Sequence, residues 1–330
     1  MNNTGLSKIQ ENILPSISII VPCYNENDAL PYCLKALSEI LFNLINSNKI
    51  SKASEIVFVD DGSTDDTWEK IKKASLENPF ISGIKLSRNR GHQNALIAGL
   101  SVSYTDVVIS IDADLQDDIR CIEAMLEKYN EGNDIVYGVR NDRSTDGVFK
   151  RNSAKLFYAF MRKMGVNQVS NHADYRLMSR KAVSCLLKFK EQNMYIRGVV
   201  PLLGFKSSMV YYSRDERIAG ESKYPLKKML SLAIEGITSL TITPLRMISA
   251  AGFITCLISI AAAAYALIEK ITGSTVEGWA SVIISIIFLG GIQLLCLGVI
   301  GEYIGKIYME SKARPRFFIE EKTGRFNNKK

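Results

Sequence analysis

The sequence predicts an α/β fold: a doubly wound, mostly parallel sheet followed by interfacial helices and two transmembrane helices. Three observations carry this expectation. From Ser16 onward short apolar runs alternate with amphipathic segments, several of those runs are apolar throughout, and beyond about residue 240 two long stretches hold no charged residue. Strand–helix alternation with strands apolar on both faces points to a parallel sheet covered by helices.

In order, residues 17–22, 55–59, 81–86, 107–111 and 134–137 read as strands, and 28–43, 65–76, 93–103 and 120–131 as the helices between them. Residues 1–15 read as a flexible leader to a domain at 16–225. A juxtamembrane amphipathic helix at 226–246, a two-helix anchor at 247–301 and a basic tail at 302–330 follow. The charge-free stretches 247–268 and 278–301 hold 22 and 24 residues. At ~1.5 Å per residue they reach roughly 33 and 36 Å, enough for a hydrocarbon core of about 30 Å.

The connection between these stretches carries only Glu269, Lys270 and Glu277. Lys223, Lys227, Lys228, Arg246, Lys306, Lys312, Arg314 and Arg316 flank the outer ends. By the positive-inside rule both ends are cytoplasmic and the short loop faces out. A basic collar beside a membrane also accounts for the net charge of +7 without nucleic acid. The six cysteines show no CxxC spacing and read as reduced thiols of a cytosol-facing protein. The first apolar run is too short for a signal peptide.

Open α/β sheets bind ligands at the carboxyl ends of their strands. Those ends read Pro22-Cys23-Tyr24-Asn25-Glu26, Asp60-Asp61-Gly62-Ser63, Arg88-Asn89-Arg90-Gly91-His92, Asp112-Ala113-Asp114-Leu115-Gln116 and Gly138-Val139-Arg140. One site along one rim explains them together. Asp112 and Asp114 are its sharpest feature. Two residues apart on an extended chain, they point the same way at roughly 6.5 Å. Their hard oxygens suit Mg2+ or Mn2+, with diphosphate oxygens completing the shell. Gln116 adds a further oxygen donor, while Asp117 and Asp118 read as residues at the start of the next helix.

Tyr24 suits a flat base, Glu26 a base or ribose, and Asp60 a ribose or uracil N–H; Asp61-Gly62-Ser63 also reads as a turn and helix cap. The absence of GxGxxG at the first turn argues against a dinucleotide-binding dehydrogenase.

The segments 22–26, 60–63, 112–117 and 217–224 together resemble the polyprenyl-phosphate glycosyltransferases of the GT-A type, in glycosyltransferase family 2, which include dolichyl-phosphate mannose synthase. The bactoprenol glucosyltransferase branch is most similar, through DRSTDG at 142–147, DYRLM at 174–178, ERIAG at 216–220, LGGIQ at 289–293 and GEYIG at 301–305. The resemblance spans about residues 16–318. It implies inverting transfer of a hexose, most simply glucose, from a UDP-sugar to undecaprenyl phosphate at the bacterial inner membrane. The product would be a lipid-linked sugar for O-antigen or cell-envelope modification.

The resemblance also implies a metal at Asp112, Asp114 and Gln116 and catalytic roles for Asp114 and Asp174. It implies a nucleotide-sugar site of Pro22, Tyr24, Asn25, Glu26, Asp60, Asp61, Asn89, His92, Asn94, Asp112, Arg217 and Lys223. UDP-aminoarabinose and UDP-N-acetylglucosamine stay open as donors, and a homo-oligomer stays open as the assembly. A processive polysaccharide synthase is the main rival, but its Gln-x-x-Arg-Trp motif is missing: the only tryptophans are Trp68 and Trp279. A nucleotide-sugar-binding scaffold would not need the intact DxD.

A lipid monophosphate, with its second pKa about 6, is already an anionic nucleophile at cytosolic pH. Such an acceptor needs cations more than a base. Arg140, and Arg151 and Lys155 on a basic helix at 149–163, are the candidates for its phosphate, with that helix lying over the headgroups. Asp174 stays open as a base or as an orienting group, and an anionic acceptor favours orientation. Arg217 and Lys223 flank Gly220 in a loop that reads as a lid over the diphosphate.

Overall fold

The computed structural model describes residues 14–140, 172–192, 194–213, 238, 241–271 and 278–327. Arg151, Lys155, Arg217, Lys223, the basic helix, the leader up to residue 13 and most of the expected juxtamembrane helix lie outside the described residues.

The apolar runs form strands because helices cover both of their faces. β1 (Ile17–Cys23), β2 (Glu55–Asp60), β3 (Ile81–Leu86) and β4 (Val107–Ser110) are parallel, in the order β3-β2-β1-β4. Between them run α1 (Leu30–Asn46), α2 (Thr67–Glu77) and α3 (His92–Val102), and α4 (Cys121–Asn130) follows β4. Alternate strand residues enter two cores. Ile17, Ile19, Val21, Ile56 and Phe58 pack with Leu37, Ile71 and Met125 of α1, α2 and α4. Ile20, Val57 and Val59 pack with Leu96 and Leu100 of α3 on the other face. Gly99 lets α3 lie close: a Cβ there would stand 2.3 Å from Ile20 Cγ2 and 2.9 Å from Val59 Cγ2.

Three further strands join the expected five and change their order. β5 (Ile135–Arg140) does not adjoin β4, because β6 (His172–Ser179) lies between them, antiparallel to both. After α5 (Arg180–Leu186) and α6 (Ile196–Leu202), β7 (Ser207–Tyr212) adds parallel to β5. β8 (Ile319–Thr323), inside the stretch that reads as a basic tail, closes the far edge antiparallel to β3. The full order is β7-β5-β6-β4-β1-β2-β3-β8. β8 is held by more than its ladder: Trp68 Nε1 donates to Glu321 at 2.9 Å, and the hydroxyls of Ser75 and Thr323 are bonded at 2.5 Å.

Between β7 and β8 stand α7 (Thr243–Ile271) and α8 (Trp279–Ser311). Of the side chains described on them, Phe253, Ile258, Leu294 and Leu297 are all more than half exposed. Among the described residues one segment, Phe288–Ser311, is long and apolar enough by length and composition to cross a membrane, and none of it is buried. The sequence expectation of two such spans is therefore matched for one. The end of α8 is tied to the sheet domain. The Gln192 N–H donates to Glu310 at 2.7 Å, the Gln192 side chain donates to the Arg314 carbonyl, and Arg316 donates to that of Phe189.

Candidate active site

The rim loops fasten to one another first. Asn25 turns the chain after β1 at φ +53°; its side-chain oxygen accepts the Thr64 N–H at 2.9 Å and its own N–H donates to Ser63 Oγ at 3.0 Å. The Glu26 N–H donates to Thr67 Oγ1 at 3.0 Å. Asp60 is fully buried at the end of β2 and accepts the Ser63 N–H at 3.3 Å; burial pushes its pKa up.

Asp61 reaches across to the third loop, accepting the N–H groups of Arg90 at 2.7 Å and Gly91 at 2.8 Å. Gly62, at φ +68°, permits that approach: a Cβ would lie 2.5 Å from the Arg88 carbonyl carbon. The Asn89 side chain accepts the Gly91 N–H at 3.1 Å, and that of Asn94 donates to the Arg90 carbonyl at 2.8 Å. Asp61, Asn89 and Asn94, expected from the sequence at the nucleotide-sugar, thus make bonds that shape the rim. Tyr24 is 44% exposed there, and Pro22 is buried within β1.

Asp112 and Asp114 follow β4 in a tight turn. Leu115 takes the left-handed conformation at φ +51°, an uncommon one for a branched side chain, and the Asp114 carboxylate accepts the Gln116 N–H at 3.2 Å. Burial raises the pKa of Asp112, and the carboxylates of Asp174, Asp117 and Asp114 raise it further against the opposing His92. Crowded carboxylates of this kind fit a hard divalent cation. Among the described residues no three His, Cys, Asp or Glu side chains converge as a ready cage. Asp112, Asp114 and Gln116 are the residues here that could hold such an ion, with substrate oxygens completing the shell.

Beside this pair the structure assembles a cluster that the sequence shows only in part. His92 Nε2, at the start of α3, lies 3.6 Å from Asp112 and 3.4 Å from Asp174. Burial pulls the imidazole pKa down, but the Asp174 bond and the two carboxylate charges outweigh it and raise it to about 9. Asp174, on β6, pairs with Arg176 two residues along the same strand face and with Arg197 of α6. Burial pushes its pKa up, yet Arg197, His92 and Arg176 hold it well below the usual carboxylate range. Arg176 is fully buried. Its signal in the sequence is the DYR spacing, which on a strand puts Asp174 and Arg176 on one face; Arg197 gives no such signal.

Asp117 is not a helix-start residue. Its carboxylate is buried and accepts from Arg140 Nη2 at 3.1 Å and from the Tyr212 hydroxyl, joining the ends of β5 and β7. Arg140, expected at an acceptor phosphate, is thereby paired within the protein. Asp118 keeps the role expected for it, accepting the Arg120 N–H at 3.0 Å just before α4.

Comparison with known proteins identifies the family. The glycosyl transferase family 2 model matches residues 18–187, and a model described as the GtrB C-terminal hairpin matches residues 243–307, which span α7 and α8. The uncharacterized glycosyltransferase YkoT of Bacillus subtilis is 49% identical over 93% of this chain and 91% of its own length. The bactoprenol glucosyl transferase of Shigella phage SfX is 40% identical over 93% of this chain and 99% of its own. Mannosyl-3-phosphoglycerate synthase from Rubrobacter xylanophilus is a distant likeness among solved structures, at 16% identity and TM-score 0.46 over 72% of this chain and 75% of that one. With the mixed sheet and the acidic rim already in place, the chain belongs to glycosyl transferase family 2 and is a glycosyltransferase of the GT-A type.

Proposed function

We propose that the chain transfers glucose from UDP-glucose to a polyprenyl phosphate, with inversion, on the cytosolic side of a bacterial membrane. The observation that carries the reading is 40% identity to a bactoprenol glucosyl transferase over nearly the full length of both chains, and the acidic rim of the sheet supports it.

Tyr24 stacks on the base, and buried Asp60 accepts from uracil or ribose at the end of β2. Asp112 and Asp114 would hold Mg2+ or Mn2+, with Gln116 as a further oxygen donor. When bound, that ion neutralises charge on the departing diphosphate. The acceptor phosphate already carries its negative charge, so no residue must first remove a proton. Asp174, held ionised by two arginines, is a poor proton acceptor and serves to orient its neighbours. Arg151 and Lys155 are assigned to the acceptor phosphate, and Arg217 and Lys223 to a lid over the diphosphate.

The sheet supplies an argument for two spans. β7 and β8 belong to one sheet and so to one compartment, and α7 and α8 lie between them. A chain leaving and re-entering one compartment crosses the membrane an even number of times. If α8 spans, a second crossing between β7 and β8 is needed, and α7 is the segment proposed for it. Reporters fused at the N-terminus and after Lys330 are expected to read cytosol, and one placed near Gly273 the opposite side. A C-terminal reporter on the far side would contradict the two-span anchor.

Donor choice is tested by competition. With purified protein and undecaprenyl phosphate, UDP-glucose is expected to be used at least about tenfold more efficiently than UDP-N-acetylglucosamine, the order of discrimination that one misplaced group gives. The reverse preference would overturn the glucose assignment.

A further inference from the structure

We propose that Arg197 is a phosphate-binding residue of the active site, set in place by Asp174 and backed by buried Arg176. The inference rests on the reading that the substrates are a nucleoside-diphosphate sugar and a phosphomonoester.

Charge balance supplies the first argument. Asp174 offers one negative charge to two guanidinium groups. Arg197 donates to both of its oxygens, Nε at 3.2 Å and Nη2 at 3.0 Å, and Arg176 Nη2 donates to one of them. The cluster thus holds an excess positive charge before His92 is counted. Asp112 and Asp114 do not absorb it if a divalent cation balances them. One arginine would suffice for a structural ion pair. A second, beside the carboxylates proposed for the metal, is electrostatically suited to an anion that arrives with the substrate.

Geometry supplies the second. The Arg197 fork uses one edge on Asp174; among the described residues its Nη1 has no hydrogen-bond partner, and the side chain is 38% exposed. A planar guanidinium held in this way can meet a phosphate oxygen with its remaining donors at little loss of side-chain freedom. Its helix is fixed as well, because Gln93 of α3 accepts the Ile196 N–H at 2.9 Å. Arg176 is fully buried with Nε and Nη1 unpartnered among the described residues. Behind Asp174, it stiffens the carboxylate that aims Arg197.

The ligand chemistry is a phosphate oxyanion, from the donor's diphosphate or from the acceptor's monophosphate. Two measurements on Arg197→Gln separate the sources: the UDP dissociation constant by calorimetry with Mn2+, and the half-saturating concentration of undecaprenyl phosphate. Loss of a charge-assisted contact is expected to raise one of them roughly ten- to hundredfold. A rise in the first assigns the diphosphate, and a rise in the second assigns the acceptor. Arg197→Lys keeps the charge without the fork and should recover part of the loss. If Arg197→Gln does not fold, Arg197→Lys decides, with a several-fold rise expected in the same constant. A folded variant in which both constants stay within about twofold of wild type overturns the inference. Wild-type protein that binds UDP but never uses a polyprenyl phosphate would sink the acceptor reading alone, while the UDP arm still tests Arg197.

Discussion

Asp114→Asn is expected to lower glycosyl transfer by roughly 10²–10³-fold or more, the scale on which removing one group that stabilises developing charge acts. The change is nearly isosteric. Asp114 sits in a turn where its side-chain oxygen accepts the Gln116 N–H at 3.2 Å, and the amide oxygen of asparagine can take the same bond. Folding should therefore persist, with an unchanged melting temperature. What asparagine cannot supply is the negative charge that holds a divalent cation against the diphosphate. EDTA should reproduce the loss in wild-type protein, and added Mg2+ or Mn2+ should reverse it. Most of the turnover surviving either treatment would show that Asp114 and a metal are not required together.

Asp174→Asn is expected to fail differently, by losing stability. Its carboxylate is the counter-charge to fully buried Arg176 and to Arg197. Removing one partner of a buried pair leaves the other charge uncompensated, at a cost of about 3–5 kcal/mol. Chemical denaturation of both proteins in one detergent measures the difference. The same argument fixes a pH dependence. The folded-state pKa of Asp174 is depressed, so its contribution is fully present above the unfolded value of about 3.9 and is lost as pH falls through the folded value. The two proteins should converge in stability in acid and differ most from about pH 5 upward. A difference under about 1 kcal/mol at neutral pH would mean that solvent or other groups already compensate the arginines.

These two residues also mark how far the sequence could be read. Asp112 and Asp114 were legible because they end a run of consecutive apolar residues, and a strand that is apolar on both faces announces its own end. Strands β1 to β5 were legible from such apolar runs, and helices α1 to α4 from the amphipathic segments between and after them. β6 was not. It carries Asp174, Arg176 and Ser179 among its apolar residues, so it reads as a motif rather than as the strand inserted between β4 and β5. β8 was hidden by chemistry: an edge strand with charged residues on its outward positions looks like a solvated tail. Asp61 and Asp117 show a further limit. A carboxylate near a strand end can point to a ligand or to its own backbone neighbours, and only the fold shows Asp61 on Arg90 and Gly91, and Asp117 on Arg140 and Tyr212.

The most direct test of the central proposal is the lipid product itself. Purified protein in lipid nanodiscs would be given UDP-glucose, Mg2+ or Mn2+ and undecaprenyl phosphate, and the extracted lipid weighed by mass spectrometry while released UDP is measured. The proposal predicts a single hexose added per undecaprenyl phosphate, with an equal amount of UDP released. Polymeric glycan, or UDP release with no gain in lipid mass, would contradict it.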